Sequence, residues 1–398
     1  MWDGVIIGGG LAGLVAGIRA SERGKKLMLV AEGTGSLTYS SGALDIGAID
    51  LLQRSEKHPY ALLQEKSIRD GLAYFQTLFP EYRENAEKPP LVLTPLGSCR
   101  TGGLAPAGLI ADRLSQVRNI VLMAPKGMKD FFASVVKANL EKEFCQSTVR
   151  IYPFQVSAFA SWYQVGRPVN GIEYARFWRT ETGMQELGRL LGELTQDIEG
   201  SSVAVVFPGL TRVFSESLQK LLAQFPFPVV EMTDMSPAFG GDILHEALKR
   251  KFKELGGEMM IGSGVWQADC EGKTCQQVRV KSKGRDSILK AKEFILATGG
   301  VFGGGVEVTP TGAQEKVLKI PLFLPSEWTQ AQFLREQPYA RLGVEVDAAL
   351  RPLDPQSGEL IFKNVRVVGR MLAHWDPWVE FCGGGVSVAT GWLAGETL

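Results

Sequence analysis

The residues best suited to chemistry in this chain are glycines. Gly8-Gly9-Gly10-Leu11-Ala12-Gly13 fits G-x-G-x-x-G. It follows an apolar run, Val5-Ile6-Ile7, and opens a helical spacing of Leu11, Leu14, Val15 and Ile18. In that context the first glycine allows a tight turn and the second lets a phosphate approach the backbone. The third lets helix and strand pack closely. The unbonded N–H groups at the helix start, and the positive end of its dipole, then favour an anion. Gly8, Gly10, Leu11, Ala12 and Gly13 are therefore candidate phosphate-binding residues. The plainer alternative is a turn whose glycines serve packing alone. Glu32 stands 24 positions after Gly8, near the roughly 20 expected of an acid that binds adenosine ribose hydroxyls.

Further candidates lie along the path such a cofactor would take. Ser40-Ser41-Gly42 could hydrogen-bond a phosphate or a flavin edge, or could form an ordinary turn. Ala297-Thr298-Gly299-Gly300 leaves an apolar strand and enters the densest glycine run, where the chain can bend tightly beneath a nucleotide. Gly369 ends a later strand, Val365–Val368. Gly383-Gly384-Gly385-Val386 opens the last helix, whose N-terminus can stabilise negative charge on a reduced flavin ring. Groups for acid–base work are few. His374, in Ala-His-Trp-Asp-Pro-Trp, and Arg100 are the weak catalytic candidates. His58 reads as part of a turn and His245 as structural. No metal-ligand cluster is expected, and Cys270 and Cys275 read as flanking a hairpin turn.

These motifs need a frame to hold them. The first 32 residues read as a complete β-α-β unit with parallel strands. The middle reads differently: Val203–Phe207 as a buried strand, a helix near Ser215–Phe225, a strand at Val229-Val230, and dense aromatics from Phe154 to Trp178. The first pattern then resumes with a helix through Ile243, Ala247 and Leu248. A charged hairpin follows around Gln276–Val280 and Ser287–Ala291, then a strand at Glu293–Ala297. The spacing predicts an α/β chain with a Rossmann-like flavin-binding domain from both chain ends, 1–54 and 237–398. An α+β cap or partner domain, 55–236, is inserted between them.

Composition removes other classes. Lys+Arg and Asp+Glu are both 43, so no basic excess points to nucleic acid. The five cysteines are irregularly spaced, which fits a reducing compartment and neither a disulfide framework nor an iron–sulfur motif. No signal peptide or transmembrane segment is expected.

The string Asp3–Gly13, then Tyr39–Asp45, His58–Leu63 and Thr94–Gly97, resembles the family of B subunits of anaerobic glycerol-3-phosphate dehydrogenases. Asp376-Pro377 and Cys382–Val386 extend the likeness to the last helix. The resemblance implies a fold similar to the fumarate reductase and succinate dehydrogenase flavoproteins. It implies a flavoprotein that works with two partners, a catalytic A subunit and a membrane-associated iron–sulfur C subunit. That complex oxidises glycerol 3-phosphate to dihydroxyacetone phosphate and passes electrons to quinone. The location implied is cytoplasmic, at the inner face of the membrane through the partners. FMN is the cofactor the resemblance puts first; the fingerprint and Glu32 favour FAD. Two other readings stay open: a self-sufficient FAD-dependent oxidoreductase, and a binding subunit without redox chemistry.

Overall fold

A computed structural model describes residues 1–52, 56–83, 89–198, 202–210, 213–281 and 286–398. The chain forms two compact units. The first comprises Met1–Leu37, Leu44–Phe79 and His245–Leu398; the second comprises Thr38–Ala43 and Pro80–Leu244. The expected boundary at 54/55 lies outside the described residues. Packing divides the chain at 79/80 and 244/245, and it sends 38–43 to the second unit. The causes are local. The Tyr82 hydroxyl donates to the Gly42 carbonyl at 2.7 Å, and the Ala238 N–H donates to the Thr38 carbonyl at 2.8 Å. A Cβ built at Gly71 would stand 3.1 Å from Ala389 Cα, so the helix around Gly71 belongs with the C-terminal one.

In chain order, the first unit opens with β1 (Trp2–Ile7), α1 (Leu11–Glu22), β2 (Leu27–Ala31) and α2 (Glu65–Leu78). The second unit holds β3 (Asn119–Pro125), α3 (Ala133–Glu143), β4 (Thr148–Phe154), α4 (Glu181–Asp197), β5 (Val203–Phe207), α5 (Glu216–Leu222) and β6 (Val229–Glu231). Helix α6 (Phe239–Glu254) carries the chain across the division. The first unit then resumes with β7 (Glu258–Ile261), β8 (Gly264–Glu271), β9 (Thr274–Lys281), β10 (Ser287–Leu296), β11 (Val365–Val367) and α7 (Gly383–Thr397).

The sheet of the first unit runs β7-β2-β1-β10-β9-β8, with β11 also beside β10. β7, β2, β1, β10 and β11 are parallel neighbours. The second arm of the expected hairpin and the strand after it are one element. Ser287 to Lys290 pair antiparallel with β9, and Ala291 to Leu296 pair parallel with β1. The residues record the change. Burial alternates through the charged half and becomes continuous at Phe294-Ile295-Leu296, because a parallel sheet is covered on both faces. Three strands, not two, make the antiparallel part; Cys270 and Cys275 face each other across its first turn.

Asn364 ties these strands together. Its Oδ1 accepts from the Cys275 N–H at 2.9 Å, and its Nδ2 donates to the Cys275 and Lys292 carbonyls at 2.8 and 2.9 Å. Asn364→Ala should remove three hydrogen bonds, two of them buried, and cost about 3 kcal/mol. Urea unfolding would read this as a lower midpoint; an unchanged midpoint would rule the clamp out.

The second unit contains a parallel sheet in the order β6-β5-β3-β4. The α/β class therefore holds here too. Helix and strand alternate in this stretch rather than segregating into an α+β arrangement. Strand periodicity of two divides the side chains between two cores. Val121, Met123, Val203, Val205 and Phe207 enter one; Ile120, Leu122, Ala204 and Val206 enter the other. The dense aromatics between Phe154 and Trp178 are largely core: Phe154, Phe159, Tyr174 and Trp178 are buried in the first of these clusters.

Candidate functional site

Within the first unit, β1, β10 and β11 lie side by side and point the same way. Their last residues are in register, Ile7 with Leu296 and Leu296 with Val367. Gly8, Ala297-Thr298 and Gly369 therefore leave one edge of one sheet. In open α/β sheets that crevice, beyond the carboxyl ends of the strands, is where ligands bind. The contacts are close. A Cβ at Gly8, where φ is +118°, would stand 2.2 Å from the Ala297 carbonyl oxygen. A Cβ at Gly13 would stand 2.2 Å from the Gly8 oxygen, and one at Gly369 would stand 2.8 Å from Ala12 Cβ.

Gly10 differs. A Cβ there would meet nothing within 4 Å. Gly10 is the N-cap of α1, no side chain of a described residue caps it, and the first turn has no acid. Its glycine is not needed by the protein's own packing, but it leaves open space before a helix N-terminus. That cradle, with Leu11 and Ala12 in the first turn, fits a pyrophosphate. His245 holds the turn from behind: its Nε2 lies 3.0 Å from the Gly9 carbonyl oxygen in a buried position. Glu32 is exposed just past the end of β2, and its Oε1 lies against Gly264, whose Cβ would be 2.1 Å away. An exposed carboxylate one strand over from the fingerprint fits a ribose diol.

The turn after β10 is tightly folded, not loose. The Gly303 N–H donates to the Gly299 carbonyl at 2.7 Å, and a Cβ at Gly305 would stand 2.4 Å from Thr298 Oγ1. Gly300 lies against Arg370, with the added Cβ 3.1 Å from its carbonyl oxygen. Helix α7 packs on α1 through Gly391 and Gly395, whose Cβ atoms would each stand 2.5 Å from an α1 carbonyl oxygen, those of Ala12 and Ala16. At the N-terminus of α7, Gly384 and Gly385 are required by Leu44 and by the Tyr60 hydroxyl. Their Cα positions thus have a packing reason. Val386 is buried, and its N–H donates to the Cys382 carbonyl at 2.9 Å. No side chain of a described residue caps the α7 start, and its first turn has no acid.

Ser41 and Arg100 meet in the second unit, where the guanidinium donates to Ser41 Oγ at 3.2 Å. Ser40 and Ser41 also accept from the Gly42 and Ala43 N–H groups at 3.1 and 3.4 Å, which makes this segment a serine turn. Ser41 lines a small cavity with Glu231, Thr233, Asp234 and Gly240. Burial, then Glu231 and Asp130, push the Asp234 carboxyl up to about 7. The sequence carried no motif for that group.

His374, in the first unit, is committed locally. Its Nε2 lies 2.7 Å from Glu345 Oε1, and its ring packs on Phe323 at 4.0 Å. Burial lowers its proton affinity against the pull of Glu345. His58 is more than part of a turn: it caps a helical turn and is almost fully buried. Its Nδ1 accepts from the Tyr60 N–H at 3.0 Å, so the ring proton sits on Nε2, 3.2 Å from Glu380 Oε2. Cys382 Sγ lies 3.8 Å from both groups. The three groups cluster like metal ligands, but a protonated Nε2 offers no lone pair, and the array is a hydrogen-bonded brace at the α7 start. The His58 bond is among the interactions that hold the Glu380 carboxyl below its usual range against the effect of burial.

Residues 3–318 match the family described as FAD binding domain. The match names FAD where the resemblance had put FMN first. Over its full length the chain is 28% identical to a Yersinia enterocolitica protein named as the B subunit of anaerobic glycerol-3-phosphate dehydrogenase, covering 98% of it. It is 26% identical to a Vibrio cholerae protein of the same name, covering 96% of it. A solved 3-ketosteroid delta1-dehydrogenase from Sterolibacterium denitrificans aligns over 100% of this chain and 99% of its own, at TM-score 0.46 and 11% identity. The chain belongs to the FAD binding domain family, as an oxidoreductase flavoprotein.

Proposed function

We propose that the chain is the flavoprotein component of a glycerol-3-phosphate:quinone oxidoreductase, with FAD as its cofactor. The observation that carries the flavin part is the open cradle at Gly10, where three parallel strand ends meet a helix N-terminus that no side chain of a described residue caps. The substrate part is supported by the full-length likeness to proteins named for that activity. Bound FAD supplies two-electron redox chemistry and one-electron exchange with a partner. The N–H groups of Leu11 and Ala12 would hold the pyrophosphate, and Glu32 would accept from the ribose hydroxyls. FAD is preferred to FMN because FMN would leave Glu32 without a ribose. The N-terminus of α7, at Gly383 and Gly384, would stabilise negative charge on the reduced ring.

The acid–base groups near the strand ends are few and locally bonded, which favours a relay over a self-sufficient enzyme. Electrons would enter from a catalytic partner and leave to an iron–sulfur partner at the membrane. No helix among the described residues is long and apolar enough to cross a membrane, so attachment would rest on that partner. The isolated holoprotein should not turn over glycerol 3-phosphate with a dye acceptor, and adding the catalytic partner should restore turnover. Steady turnover by the isolated chain would replace the relay with the self-sufficient reading.

A further inference from the structure

Arg370 follows Gly369 on the turn that leaves β11, beside Gly300. Its guanidinium has two faces and one unmet need. It lies 5.3 Å from the Trp375 ring centre and 5.7 Å from that of Trp378. One amino group, Nη2, donates to the Ala340 carbonyl. The other, Nη1, is buried without a hydrogen-bond partner, and Arg370 forms no ion pair among the described residues. Burial lowers the guanidinium's proton affinity, although Asp376, Cys382 and Glu380 pull the other way. A desolvated cation with an orphaned donor is costly and is normally paired. Its neighbours orient it without neutralising it. Trp378, which flanks it, packs edge to face on Phe302 at 5.1 Å, and both rings are half or more exposed.

We infer that Arg370 is an oxyanion-binding residue of the strand-end crevice, oriented by Ala340 and flanked by Trp375 and Trp378. The inference rests on the flavin reading for its place, and it adds the ligand chemistry: a planar fork that takes an anionic oxygen. Two sources share that chemistry, the phosphate of a small substrate and the electron-rich edge of the reduced flavin.

The test compares full-length wild type, Arg370→Met and Arg370→Lys. Inorganic phosphate is titrated into flavin-free protein and followed by tryptophan fluorescence, which Trp375 and Trp378 supply without any flavin. The flavin midpoint potential is measured on loaded protein. Thermal unfolding is measured on the flavin-free form. Arg370→Met should melt at or above wild type, because an unpaired buried charge is gone. A phosphate Kd raised tenfold or more, with an unchanged potential, assigns the site to substrate. A potential lowered by about 30 mV, which is tenfold in a two-electron equilibrium, assigns it to the reduced ring. Arg370→Lys should recover part of either effect. Unchanged phosphate binding and potential would overturn the inference, as would a lower melting point with both unchanged. Wild type that binds phosphate but no flavin would instead sink the flavin reading and leave Arg370 standing.

Discussion

Gly10→Val should strip the protein of flavin and leave it folded. The backbone at Gly10 is extended, with φ −78° and ψ −175°, which a branched residue adopts without strain. A Cβ there touches nothing, so the folding cost is that of a poorer N-cap, about 1 kcal/mol. The isopropyl group would fill the space where a phosphate must approach the N–H groups of α1. Flavin affinity should fall by a hundredfold or more, read as lost absorbance near the flavin maximum after gel filtration. Gly13→Val is the control with the opposite profile. Its Cβ would press on a backbone oxygen at 2.2 Å, and overpacking of that kind costs about 3 kcal/mol or more. That variant should fail to accumulate. A Gly10→Val protein with full flavin content would contradict the role given to the cradle.

Gly391→Leu should be the most damaging substitution far from the crevice. Helix α7 approaches α1 so closely that a Cβ at Gly391 would stand 2.5 Å from the Ala12 carbonyl oxygen. The obstacle is backbone, so neither helix can yield by changing a rotamer. The two helices must separate, and each carries one of the two N-termini assigned to the cofactor. A loss of about 3 kcal/mol or more is expected, together with lost flavin, from denaturant unfolding and absorbance on one preparation. A stable, flavin-loaded Gly391→Leu protein would show that the spacing of α1 and α7 does not matter.

Much of this frame was legible in the residues. The β-α-β opening, the strand at Val203–Phe207 and the helix from Gly383 each carry their own periodicity and punctuation. The ends of β1, β10 and β11, which lead into Gly8, Ala297 and Gly369, lie side by side, because parallel strands in one sheet bring their ends together. What escaped depended on partners distant in sequence. Ser287–Lys290 is the hairpin arm it looks like, but nothing local says that the same strand runs on to Leu296 and changes neighbours halfway. Residues 65–78 carry a helical stripe, yet contacts distant in sequence, Gly71 against Ala389 and the Tyr74 hydroxyl on Glu22, assign that stripe to the first unit. Gly391 and Gly395 are spaced four apart and could have been read as a close-packing face. Arg370 left no trace, since an orphaned donor becomes visible only once burial is known. The brace of His58, Glu380 and Cys382 joins residues more than 300 positions apart, beyond the reach of any spacing rule.

The central claim is that this chain holds FAD in the crevice beyond β1, β10 and β11. The direct measurement is mass spectrometry of the flavin released by heat from purified full-length protein, with its stoichiometry. One FAD per chain is the expected result. FMN in its place, or a colourless protein that takes up neither flavin, would contradict it.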